Sequence, residues 1–226
     1  MYGPDRFFDL NHCSHRVIFE NVAEVWKALE KIGPYLQFRL KPAMLGRGIG
    51  KPFLGSAVFV GRGTVVEPGA VIKGPAWIGE NCQIRSGCYI RENVIIGDGV
   101  VAGNSCEFKN CLVFDSAEIP HFNYVGDSIL GHKSHLGAGV ILSNVRLDRA
   151  EVVVTCEDGH HIPTGLRKFG AIIGDHAEVG CNSVISPGSL IGRHALIYPG
   201  VHWRGVLPEM KIARLRQEID IVPRRC

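Results

Sequence analysis

From Val60 onward an apolar residue recurs at every sixth position, a spacing that is not the period of a helix or of an ordinary strand. The series runs Val60, Val66, Ile72, Ile78, Ile84, Ile90, Ile96, Ala102, Phe108 and Phe114. Pro120 keeps the register, the phase slips near Tyr124-Val125-Gly126-Asp127, and the spacing resumes at Leu130, Leu136 and Leu142. A non-repetitive stretch from about Val145 to Gly170 follows, and the period returns at Ile173, Val179, Ile185, Ile191 and Ile197. Two positions before the next apolar residue the side chain is mostly small, as at Thr64, Ala70, Ala76, Cys82, Cys88, Cys106, Ser134, Ala177, Ser183 and Ala195. An aliphatic that stacks in a core, followed by a small group at a tight corner, describes a triangular coil. Three six-residue faces make an eighteen-residue turn that buries its core only against neighbouring turns. The 28 glycines are spread along the chain, as many tight turns require, rather than gathered in a linker.

This repeat sets the domain reading. Residues 1–55 form an N-terminal helical segment and connector, 56–204 the β-solenoid with an irregular loop at 145–170, and 205–226 a C-terminal helical tail. Asn21-Val22-Ala23-Glu24 has capping-box form ahead of an apolar stripe at Val25, Trp26, Leu29 and Ile32, and Gly33-Pro34 ends that helix. Pro208 to Gln217 reads as a second helix. Of the eight cysteines, Cys82, Cys88 and Cys106 occupy the small corner position and read as packing groups. No CxxC pair marks a zinc site. The net charge of +3 is scattered, which argues against a nucleic-acid partner. No apolar run is long enough for a membrane span. The N-terminus lacks the pattern of a signal peptide, so a reduced, cytoplasmic setting is expected.

Candidate chemistry follows from the coil length. Residues eighteen apart stack, so Lys73, Arg91 and Lys109 form a vertical cationic ladder that carboxylates or a phosphate must compensate. His121 takes the position equivalent to Lys109 two faces later, on a different face, where the repeat breaks. Such breaks are where local rules yield to function. His160-His161 suggests metal but finds no third ligand of convincing spacing. Leu45-Gly46-Arg47-Gly48-Ile49-Gly50-Lys51-Pro52 is a connector, since Leu45 stands where a phosphate loop needs its first glycine.

Taken together, Ile90-Arg91, Glu107-Phe108-Lys109-Asn110, His121-Phe122-Asn123-Tyr124-Val125-Gly126-Asp127-Ser128, Gly137-Ala138-Gly139 and Asn144 carry a family pattern. The chain resembles the acetyltransferase domain of the bifunctional glucosamine-1-phosphate N-acetyltransferase / N-acetylglucosamine-1-phosphate uridyltransferase enzymes. Thr164 to Asp175 is most similar to archaeal-type sugar-phosphate nucleotidylyltransferases. The resemblance implies a left-handed parallel β-helix, a homotrimer with sites between neighbouring solenoids, and acetyl-CoA as co-substrate with no metal required for acetyl transfer. It implies His121 as general base toward the amine of glucosamine 1-phosphate, with Glu107 orienting or polarising it. Arg91, Lys109, Tyr124, Asn144 and Lys168 would bind the amino-sugar phosphate, and Ala138, Cys181 and Pro199 the CoA.

The pattern has departures. His135 replaces a family asparagine, Cys181 a serine, and Arg149, Ala150 and Val153 stand where archaeal-type members often carry lysines. Residues 1–55 are too few for the nucleotidyltransferase domain of these enzymes. The expected function is therefore N-acetyl transfer to an amino-sugar 1-phosphate, feeding UDP-N-acetylglucosamine synthesis. The alternative is a non-catalytic trimeric module that binds sugar phosphate or nucleotide sugar and partners a separate nucleotidyltransferase. A solenoid enzyme of the γ-carbonic anhydrase type would need three placed histidines, which the spacing does not supply.

Overall fold

A computed structural model describes residues 2–224. The six-residue period becomes short parallel strands on three faces, two of nine strands and one of eight, among the described residues. The parallel β-helix expected from the sequence is the fold observed. Its interior is a column of aliphatic and small side chains from Val58 to Ala213, with Thr64, Cys82, Cys88 and Cys106 buried at the corners. The cysteine reading holds. The Cys82 and Cys106 thiols donate to the carbonyls of Gly97 (3.0 Å) and Ile119 (3.2 Å), and burial pushes the Cys88 thiol well above its ordinary range. These are inert packing groups.

The register corrects the sequence reading at one important place. Ile78 lies opposite Ile96, eighteen residues on, but Ile96 lies opposite Val113 and Ala102 opposite Ile119. The coil therefore loses one residue between Phe108 and Val113, a loss the six-residue count missed, and a second between Val125 and Leu130, in the stretch where the phase slip was read. Phe114 and Pro120 satisfied the six-residue count only because apolar residues stand side by side there. The core positions are Val113 and Ile119, and Phe114 points outward. The loss falls at the corner between the third and first faces, where Asn110 (φ 44°) and Asp127 (φ 47°) make the tighter turn. Asparagine and aspartate tolerate that left-handed backbone better than most residues.

The solenoid is also longer at both ends than its clearest repeats. Ala43–Met44, Arg47–Gly48 and Phe53–Leu54 pair in parallel with the next coil, so the glycine-rich connector is the first coil. The C-terminal helix is absent: Val206–Leu207 and Ile212–Ala213 extend two faces of the sheet instead. Leu207 and Ala213 are six apart, and the hexapeptide spacing prevailed over helical propensity because it caps an otherwise open core.

The N-terminal segment wraps the first face, whose strands read apolar on both sides, as at Val94–Ile96 and Ala171–Ile173. Trp26, Phe7, Phe8 and Phe19 bury against the outward Ile95, Leu112, Phe114 and Ile172. The Phe8 and Phe114 rings meet at a tilt with centroids 4.7 Å apart. Asn21 sits at φ 56° in a turn and makes no capping box. A 3-10 turn at Val25–Ala28 leads into helix α1 (Leu29–Arg39), which runs through Gly33-Pro34 because Leu36 is buried beyond them.

His15 lies inside this wrap, with Nδ1 2.8 Å from the Tyr35 hydroxyl and Nε2 buried without a partner among the described residues. Burial pulls its imidazole down to about 4. Between pH 6.5 and 4 the unfolded chain binds this proton and the folded chain does not, so stability falls as pH drops through that window. The loss should approach about 3 kcal/mol at its lower end. Urea unfolding of wild type and His15→Gln at pH 7.5, 6 and 5 measures it: the wild-type decline is expected to be the steeper. Phe114→Ala is expected to cost about 3–5 kcal/mol. Limited proteolysis should then cut first within residues 1–40, where a Val113→Ala cavity would not direct it.

Candidate active site

The predicted cationic ladder exists. Lys73 donates its backbone N–H to Ile90 and Arg91 donates to Phe108, which stacks Lys73, Arg91 and Lys109 at the edge of the third face. Each cation already has company. Arg91 donates to Glu107 at 3.0 Å and approaches Glu92 at 3.5 Å, and the Glu107 hydrogen bond raises its pKa. Lys109 lies 3.7 Å from Asp127, and Lys73 sits 5.2 Å from the centroid of the Tyr89 ring. Carboxylates thus compensate Arg91 and Lys109, and an aromatic face meets Lys73.

Asp127, 4% exposed, organises this edge. Its carboxylate accepts from the side-chain amides of Asn110 at 2.9 Å and Asn144 at 2.5 Å, and Asn144 also donates to the Tyr124 hydroxyl at 3.2 Å. The Tyr124 ring lies across Gly126, where a Cβ would meet its hydroxyl at 2.5 Å. Burial, then Asp127 and Glu107, raise the Tyr124 pKa and keep its hydroxyl protonated. Lys168 is exposed, next to Phe169, whose N–H donates to Asn144 at 3.0 Å. Lys109, Tyr124 and Asn144 are thus brought together around Asp127, Lys168 precedes the residue that bonds Asn144, and Arg91 is one coil away. Asp127 was quoted in the sequence motif but given no role. Its signal was the phase slip itself, one of whose two lost residues falls at Asp127.

The register shift also moves His121. With Ile119 in the core, His121 lies opposite Asn104, at the corner where the second face passes into the third. It is not equivalent to Lys109, and it borders the ladder's own face at the opposite edge. Backbone bonds run along this corner from Gly139 N–H to His121, Asn182 N–H to Ala138, and Gly200 N–H to Cys181. His121, Ala138, Cys181 and Pro199 therefore form one column. Beside its upper part is a cleft of ≈ 260 Å³ lined by His135, Cys181, Tyr198 and Pro199.

The corner itself is tightly held. Phe122 takes φ 53°, an uncommon backbone for a bulky residue, and its ring is exposed. The buried Asn123 side chain accepts from the His121 N–H at 3.2 Å and donates to the Gly137 carbonyl at 2.7 Å. The His121 ring is exposed and has no hydrogen-bond partner among the described residues. Glu107 does not touch it, being engaged with Arg91. Glu107 and Tyr124 instead sit side by side on adjacent coils of the third face, between the two edges.

A parallel β-helix with a solvent-facing histidine at one edge of a face and a cation–amide network at the other is the class defined by this geometry. Residues 72–160 match the family of the GMPPB C-terminal domain. The chain is 44% identical over 96 residues to a bifunctional sugar-1-phosphate nucleotidylyltransferase/acetyltransferase of Sulfurisphaera tokodaii, covering 42% of this chain and 24% of that one. It is 40% identical over 94 residues to the bifunctional protein GlmU of Methanococcus maripaludis, covering 42% and 22%. The matches span about a quarter of these relatives. Among solved structures, GDP-perosamine N-acetyltransferase from Caulobacter crescentus aligns over 66% of this chain and 53% of its own at 18% identity, with a TM-score of 0.36. The sequence resemblance to the acetyltransferase region of the bifunctional sugar-phosphate enzymes is borne out.

Asp127→Ala would strand Lys109 and two amides in a largely buried network, and is expected to cost about 3–5 kcal/mol. Asp127→Asn keeps the corner's backbone tolerance and part of the hydrogen bonding, and should cost distinctly less. Chemical denaturation of both variants checks the order.

Proposed function

We propose that this chain is an acetyl-CoA-dependent N-acetyltransferase acting on an amino-sugar 1-phosphate, with glucosamine 1-phosphate the first substrate to test. The reading would place it in the supply of UDP-N-acetylglucosamine. The observation that carries it is the single column of His121, Ala138, Cys181 and Pro199, one face away from the network of Lys109, Asp127, Asn144 and Tyr124. At about 3.3 Å per strand residue, the third face is about the width of a phosphosugar.

In this reading the acceptor's phosphate docks at the ladder edge, on Arg91 and Lys109, with Lys168 closing from the loop. Arg91 exchanges Glu107 for the phosphate, which frees that carboxylate beside Tyr124. Tyr124 and Asn144 orient the sugar hydroxyls. The 2-amino group then faces the His121 corner, where the thioester of acetyl-CoA lies along Ala138, Cys181 and Pro199. His121 takes the amine proton as nitrogen attacks the carbonyl carbon, and the C–S bond breaks to release CoA. Backbone N–H groups near Ala138 would stabilise the oxyanion. A homotrimer that packs the second and third faces of neighbouring copies together would close the site from solvent, and the cytoplasm would supply both substrates.

One observation favours a second reading. Two of the ladder's cations, Arg91 and Lys109, already have acidic partners in Glu107, Glu92 and Asp127, as suits a non-catalytic module bound to a separate nucleotidyltransferase.

A thiol-release assay with acetyl-CoA across a panel of amino-sugar phosphates separates the two. Wild type is expected to release CoA with glucosamine 1-phosphate, and His121→Ala to release it at least about 100-fold more slowly with sugar-phosphate binding retained in calorimetry. Binding of sugar phosphate with no CoA release from wild type on any acceptor would establish the module instead.

A further inference from the structure

The loop at 145–170 contains an antiparallel hairpin, Val153–Thr155 paired with His161–Pro163. Beyond the last paired residues, Thr155 and His161, the Cys156 N–H donates to the His160 carbonyl at 2.9 Å, which makes these two directly opposed residues that close the hairpin. Opposed side chains project from the same side of a ribbon, with Cβ atoms about 5 Å apart. Gly159, at φ 87°, turns the tip back, and its N–H bonds to the Cys156 carbonyl at 3.0 Å. The turn brings Asp158 over the pair, where its carboxylate accepts the His160 backbone N–H at 3.2 Å and contacts the ring at Nδ1. The Cys156 sulfur, an Asp158 oxygen and an imidazole nitrogen of His160 all lie within 4.8 Å of one another.

The neighbours of these three residues are engaged elsewhere. Glu157 is drawn away by Arg6 at 3.0 Å, and the His161 ring faces Thr155 Oγ1 at 3.2 Å. The ligands that the His160-His161 pair lacked in the sequence are Cys156 and Asp158, alternate residues that the turn brings to His160, while His161 stays outside the cluster.

We propose that Cys156, Asp158 and His160 bind one divalent transition-metal ion of the zinc class. A thiolate, an imidazole and a carboxylate form a borderline-soft donor set that suits Zn²⁺, Co²⁺ or Ni²⁺ and disfavours Mg²⁺ and Ca²⁺. Binding releases the Cys156 thiol proton to solvent and involves no redox change. The exposure of Asp158 and His160 leaves a fourth, tetrahedral position for water. The ion stands apart from acetyl transfer: it fixes the tip of the loop whose later residues carry Lys168 and Phe169, while Glu157 ties the same tip to the N-terminal wrap.

The test uses the full chain under reducing conditions, with metal content measured as purified and again after treatment with a chelator. Titration of the stripped protein with Co²⁺ is expected to show one equivalent with a sulfur-to-cobalt charge-transfer band, displaced by Zn²⁺. Cys156→Ser should abolish the band, His160→Ala should weaken Co²⁺ binding at least about tenfold, and Cys181→Ser should leave it intact. Absence of stoichiometric binding, or a band that survives Cys156→Ser or vanishes with Cys181→Ser, overturns the assignment. If Cys156→Ser fails to fold, His160→Ala and Asp158→Asn, both at the exposed tip, decide the matter. Undiminished affinity in both then overturns it.

Discussion

The structure depends on one constraint: each aliphatic must stand on the one a coil below while the backbone of each face bonds to the next coil. Parallel pairing along three faces makes that register collective. A face cannot slip by one residue without turning its whole inner column to solvent. Only the corners can absorb a change in length. When the chain drops a residue it does so at Asn110 and again at Asp127, on one corner, with both residues in the left-handed backbone region. The core above and below is undisturbed.

The shortened corner has two consequences that belong together. It draws Asp127 in among Lys109, Asn110 and Asn144 and buries its carboxylate there. It also advances the following strands by one position, which sets His121 at the end of its second-face strand, at the corner with the third. One deletion per coil therefore produces both edges of the candidate site. The two edges differ in character. The Asp127 edge is built on a buried carboxylate that Asn110 and Asn144 hold by hydrogen bonds, with Lys109 beside it. The His121 edge is exposed, with its backbone pinned by Asn123 and its ring free to meet a ligand.

Much of this was legible in the residues. The six-residue period gave the coil, the stacking of Lys73, Arg91 and Lys109, and the burial of Cys82, Cys88 and Cys106. Periodicity failed where two apolar residues are adjacent. Counting by six from Phe108 picks Phe114, whereas the core takes Val113, and the outer layer of Phe8 and Phe19 is what holds Phe114 facing out. That layer comes from more than ninety residues earlier in the chain, so no local pattern contains it. Pro208 to Gln217 failed for a related reason: its helical propensity is local, while the demand for a lid on the core is not. The ion pairs of Arg91 and Lys109 were open in the sequence because a stacking rule fixes which positions are neighbours, not which acids reach them.

The N-terminal wrap settles a further question about the site. Because the first face is apolar on both sides, it must be covered, and residues of the same chain cover it. A second copy cannot use that surface. Side-by-side packing of bare sheet faces is left to the second and third faces and the corner between them. The corner is where Phe122 and Tyr198 are exposed, and Ile141 is exposed on the third face. These side chains surround the two edges of the candidate site. The wrap therefore does more than stabilise one sheet: by occupying the first face it directs copies of the chain, in the trimer proposed above, to meet across the groove that His121 borders.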